Sequence, residues 1–177
     1  MAEDGNVISS LKLDAPHDGP LPNGEDTAPA AGIISQYVKD LSVENPNSPA
    51  CYQWADAPQL DVQFNIAATP VQGDVHELEL KIRLIAKAEA GTAYIVDLSY
   101  AGLIGMRNLD DAQAHAFLFA EGPRILFPFA RRVVADAVRD AGFAPLLLEP
   151  IDFNGIYLQQ LAATAEARDG EAPVGQA

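Results

Sequence analysis

The 177-residue chain has room for one ordinary domain, and a hydrophobic fraction of 49% with 20% charged residues allows a packed core. Its 25 acidic against 11 basic side chains, a formal charge of -14, argue against binding a phosphate backbone, which takes clustered Lys and Arg. A single cysteine, Cys51, excludes an internal disulfide and a multi-cysteine zinc site. The N-terminus lacks the basic stretch and apolar run of a signal peptide, and no apolar run approaches the ~20 residues of a membrane span. The expectation is therefore a cytoplasmic protein with no integral membrane segment and no nucleic-acid partner.

Residues 1–31 are rich in Pro, Gly, Ala and acidic groups, without apolar periodicity. Such a stretch cannot bury enough surface to offset its chain entropy, which predicts a disordered acidic N-terminal arm. Residues 165–177 have the same character and predict a disordered C-terminal tail, leaving 32–164 as the folded domain.

The first half of that domain alternates with period two. Tyr37, Leu41 and Val43 fall on one predicted strand face and Val38, Asp40, Ser42 and Glu44 on the other, before Asn45-Pro46-Asn47-Ser48-Pro49 breaks the strand. Leu60, Val62, Phe64 and Ile66 alternate with polar residues. So do Leu78, Leu80, Ile82 and Leu84 against Glu77, Glu79, Lys81 and Arg83, and Tyr94, Val96 and Leu98 against Ile95, Asp97 and Ser99. Four strands with one wet face describe a meander-like antiparallel sheet.

The period then changes to that of helices. Asp110 or Asp111 caps a short helix reaching Phe119, which Gly122-Pro123 is expected to end. A longer helix spans about Pro123 to Ala141, where Leu126, Phe129, Ala130, Val133, Val134, Ala137 and Val138 fill roughly half the circumference. Asp152 caps a last helix carrying Phe153, Ile156, Tyr157 and Leu161. Strands first and helices after define an α+β fold. So broad an apolar helix, over a sheet with edges to protect, favours a homo-oligomer with Leu126, Phe129, Val133 and Ala137 in its interface; the alternative is a monomer with wide core helices.

No reaction is legible. His17, His76 and His115 have no second ligand at helical spacing, and neither a phosphate-binding GxxxxGK[ST] loop nor a GxSxG elbow is present. Cys51 has no histidine near it in sequence, and Asp110-Asp111 reads as a helix cap. The expectation is a protein that is not an enzyme and takes no cofactor.

Three blocks carry a resemblance. Pro123-Arg124-Ile125-Leu126-Phe127-Pro128-Phe129-Ala130-Arg131 resembles the long-helix motif of the SecB family of protein-export chaperones. Residues Tyr37 to Asn47 are similar to that family's first strand and Pro-Asn loop, and Leu148-Glu149-Pro150-Ile151-Asp152-Phe153 to its approach to the last helix. The resemblance implies a homotetramer, a dimer of dimers with long helices between two eight-stranded sheets. Such a protein binds unfolded preproteins without nucleotide and passes them to the SecA translocase.

Carried over position by position, the resemblance implies SecA contact at Asp40, Glu44 and Asp97, with Ile95 as an apolar neighbour. Asp97 stands where the family more usually has Glu. The alternative is an ordinary solvated sheet face. For clients it implies a groove lined by Tyr52 and Trp54 in the loop after the first strand and by Phe153, Ile156 and Tyr157 on the last helix. Trp54 is displaced along the loop from the family's tryptophan, and Phe153 and Tyr157 read equally well as core.

Overall fold

The computed structural model describes residues 28–169. Four long strands form one antiparallel sheet: β1 (Ala30–Glu44), β2 (Gln59–Gln72), β3 (Val75–Ala88) and β4 (Gly91–Arg107). They are followed by α1 (Asp111–Ala116), a π-turn (Phe117–Glu121), α2 (Gly122–Asp140) and α3 (Phe153–Asp169). The α+β expectation holds. Strand β1 begins at Ala30 and α3 continues to Asp169, so the expected limits at 31 and 165 fall inside these elements. The rest of the expected arm and tail, 1–27 and 170–177, lies outside the described residues.

The strand order is β1-β4-β3-β2. Strands β2, β3 and β4 form a meander, but β1 pairs with β4 rather than with its successor. The chain then crosses the end of the sheet to begin β2 at the far edge. Three strand spacings are about 14 Å, and residues 45–58 span them easily. Side chains fasten this crossing as it passes. Asn47 Nδ2 donates to Thr92 O at 2.9 Å beside the β3–β4 turn, and Asn45 Nδ2 and Tyr52 Oη each donate to Ala141 O at 2.9 Å. Alternation fixes which face a residue takes, but not which strand lies beside it.

One face of the sheet carries the core. Leu78, Leu80, Ile82 and Leu84 of β3 and Val96 and Leu98 of β4 are buried under α2, whose Leu126, Ala130, Val134 and Val138 reach zero exposure. Burying each such Leu or Val contributes about 1.5–3 kcal/mol. The opposite face is covered by no described element.

One expected boundary changes. Gly122-Pro123 does not end the first helix. Gly122 N–H donates to Phe117 O, five residues back, so the chain turns through a π-bulge into α2 and Pro123 sits where its missing N–H is harmless. A Cβ at Gly122 would lie 2.5 Å from Leu78 Cδ2, so glycine lets the turn settle against the sheet. At the other end α2 stops as expected at Gly142, in left-handed conformation with φ of 91°. There Gly142 N–H donates to Arg139 O and Phe143 N–H to Val138 O.

Strand β1 departs from simple alternation. It shifts register between Ile33 and Ser35 and again between Val38 and Asp40. After the second shift Asp40, Ser42 and Glu44 pair with Ser99, Asp97 and Ile95 on the open face, while Leu41 and Val43 pair with Leu98 and Val96 on the helix side. Tyr37 pairs with Ala101 and so joins the acidic residues rather than Leu41. That corrects the face expected for Tyr37 and Val38: an inserted residue swaps them.

Candidate functional site

The open face brings together the four residues expected to meet a partner. Asp40 and Glu44 stand on edge strand β1, and Ile95 and Asp97 beside them on β4. Asp40, Ser42, Asp97 and Ser99 line a trough of about 680 Å³ with Lys39, Gln63, Asn65, Glu79, Lys81 and Arg83. Arg83 Nη1 lies 3.3 Å from Asp97 Oδ2. Asp40 and Glu44 are exposed and take no ion pair among the described residues. Two acidic groups without a cation, beside a third that shares one, suit a basic segment of a partner.

Next to the acids lies a polar network that the sequence did not disclose. Tyr37 Oη donates to Glu77 Oε1 at 2.5 Å, and Lys39 Nζ lies 2.6 Å from Glu77 Oε2 and 3.4 Å from Glu79 Oε2. Ser99 Oγ donates to Glu79 Oε1, and Lys81 Nζ is 3.5 Å from the same oxygen. The bonds from Lys39 and then Tyr37 hold the Glu77 carboxyl below its ordinary range, and the bond from Ser99 does the same for Glu79. The carboxylate of Glu77 raises the pKa of both Tyr37 and Lys39. The sequence placed Glu77, Glu79, Lys81 and Arg83 on the polar face of their strand; the part played by β1 depends on its inserted residue.

The expected client residues separate into two groups. Phe153 is buried, edge-on to Phe127 with ring centres 5.6 Å apart, and Tyr157 is buried with its hydroxyl 3.0 Å from His115 Nδ1. Ile156 is 42% exposed. Phe153 and Ile156 line a groove of about 410 Å³ with Phe64, Ile66, Phe119 and Ile151, between the outer strand β2, the π-turn and α3. Tyr52 and Trp54 do not line it. Tyr52 is half-exposed and packs on Phe143, while Trp54 lies beside Gly91 at the β3–β4 turn.

The four residues expected at an oligomer interface also diverge. Leu126 and Ala137 face the sheet and are buried within the chain, whereas Phe129 is 41% exposed and Val133 half-buried. Apolar surface also continues along the helix side of β1, where Val38, Leu41 and Val43 are exposed. Cys51 is buried, and among the described residues no group of three or more His, Cys, Asp or Glu could hold a metal ion. No helix among the described residues is long and apolar enough to cross a membrane.

Residues 24–164 match the family profile described as preprotein translocase subunit SecB. A protein-export protein SecB of Novosphingobium aromaticivorans is 66% identical over 180 residues, with 100% of both chains covered. That of Sphingopyxis alaskensis is 62% identical, covering 88% of this chain and 91% of its own. Among solved structures, a Mycobacterium tuberculosis SecB-like chaperone in complex with a peptide from the HigA1 antitoxin superposes with a TM-score of 0.58 at 18% identity. It covers 68% of this chain and 90% of its own, and at that identity shares the fold. A profile match over most of the folded chain, with relatives identical at two positions in three, places this chain in the SecB family of protein-export proteins.

Proposed function

We propose that this chain is an ATP-independent cytoplasmic chaperone that holds unfolded preproteins in a translocation-competent state and delivers them to the SecA translocase as a homotetramer. What supports the docking half of this reading is one observation: the register of β1 on β4 collects Asp40, Glu44, Ile95 and Asp97 on an open sheet face, away from the apolar helix side. A basic partner segment would meet them without competing for the surfaces that bind clients. The client half draws on the groove under α3 and on Tyr52 and Trp54, with several weak apolar contacts on one assembly engaging an extended chain together.

The test is the refolding of a slowly folding preprotein, followed by fluorescence without nucleotide, at one tetramer per client. Stalled refolding that SecA relieves is the expected result. Refolding at the free rate for several unrelated clients would remove the general export role and point to a chaperone dedicated to one partner. Changing Asp40, Glu44 and Asp97 together to Lys should abolish SecA binding; client binding measured alongside reports whether the two surfaces overlap.

A further inference from the structure

Strand β1 holds one residue more than its neighbour between the pairs Tyr37–Ala101 and Asp40–Ser99, and Lys39 has no register partner on β4. In an uninterrupted strand, residues three apart point to opposite faces. Tyr37 and Asp40 share a face only because of the inserted residue. Without it, and with the start of β1 in place, Asp40, Ser42 and Glu44 would turn toward the helices and Leu41 and Val43 toward water.

A bulge gives up ladder bonding, so something must favour it over the regular strand. Here that is a carboxylate two strands away. Glu77 on β3 receives the Tyr37 hydroxyl at 2.5 Å and the Lys39 ammonium at 2.6 Å, one on each oxygen. Its side chain reaches theirs diagonally across β4, where Tyr37 pairs with the small, fully buried Ala101 and Glu77 with Leu103. One bond comes from before the inserted step and the other from Lys39, the residue the register leaves without a partner.

We propose that Lys39, clamped by Glu77, is a positioning residue for the docking face: it pins the bulge that aims Asp40 and Glu44 outward. The inference rests on the docking reading of that face. A purely electrostatic role would have the opposite sign. A cation beside an acidic surface repels a basic partner, so its removal would tighten binding. Removal of a positioning residue weakens it.

The experiment uses the full chain with Lys39→Met, Tyr37→Phe and Lys39→Arg, each checked for native circular dichroism. Amide hydrogen exchange over β1 is measured without partner, and SecA affinity at two salt concentrations. Lys39→Met is expected to speed exchange at Asp40–Glu44 and to weaken SecA binding by about three- to tenfold. Tyr37→Phe, which removes no charge, acts the same way to a smaller extent, and Lys39→Arg restores both readouts. Tighter SecA binding, or unchanged exchange, in Lys39→Met would overturn the proposal. If the wild-type chain fails to bind SecA, the docking reading falls by itself, and the exchange measurement still decides whether Lys39 holds the bulge.

Discussion

Glu77 and Glu79 give the open face its response to acid. Both carboxyls titrate below the ordinary value of 4.5, Glu77 through Lys39 and Tyr37 and Glu79 chiefly through Ser99. The folded chain therefore binds fewer protons than the unfolded one in mildly acid solution. The stability these groups supply is complete above the unfolded value and is lost as pH falls through the lower folded values. Both are partly hydrated, so the contribution is modest. The urea midpoint of a Glu77→Gln, Glu79→Gln double variant should fall less than that of the wild type between about pH 5 and pH 3. A second residue-scale prediction concerns Gly122. Alanine there gains about 1 kcal/mol of helix propensity, but its methyl would press on Leu78, which has no exposure and little room to yield. Overpacking of that kind costs about 1–3 kcal/mol, so Gly122→Ala should be destabilised overall in urea titration.

Helices α2 and α3 show how much an element depends on a few contacts. Phe129 is exposed within the chain, so on the proposed tetramer Phe129→Glu should leave the subunit folded and reduce the assembled mass in sedimentation. An unchanged mass would place the subunit contact elsewhere. Helix α3 is held through Phe153 on Phe127 and Tyr157 on His115, while Leu158 and Leu161 beyond them are exposed. Truncating Phe153 to Ala should cost about 3–5 kcal/mol if α3 cannot settle again, with faster amide exchange confined to that helix. These elements also show what was legible beforehand. Strand β3 was clear because Leu78, Leu80, Ile82 and Leu84 lie in an unbroken strand with one wet face. The second face of β1 was not, since an inserted residue leaves no mark on composition and inverts every side chain after it. Gly122-Pro123 misled for a related reason: the pair that breaks an α-helix also suits a π-bulge, and only the nearness of Leu78 decides between them. The proposed docking residues were read from family motifs; the Lys39–Glu77 pair emerged only with the third dimension.

At the scale of the whole molecule, the two faces of the sheet obey different physics. The open face is charged and hydrated, and the helix side is apolar and unfinished along β1 and α2. Salt should separate them. Raising ionic strength from about 0.05 M to 0.5 M should weaken SecA association through screening, while holding of an apolar client stays level or strengthens. Parallel titrations of the two complexes would check this, and equal loss of both would mean that charge dominates client capture as well. The strand order has a consequence for synthesis. Glu44 pairs with Ile95 and Ala30 with Arg107, so β1 leaves the ribosome long before its neighbour β4 exists. Strands β2, β3 and β4 can zip in sequence through local turns, and β1 must wait and dock last. A nascent or truncated chain thus carries Asp40 and Glu44 but lacks the Asp97 and Ile95 that complete the face. Chain order makes that face a mark of a completed sheet, shown only once all four strands are in place.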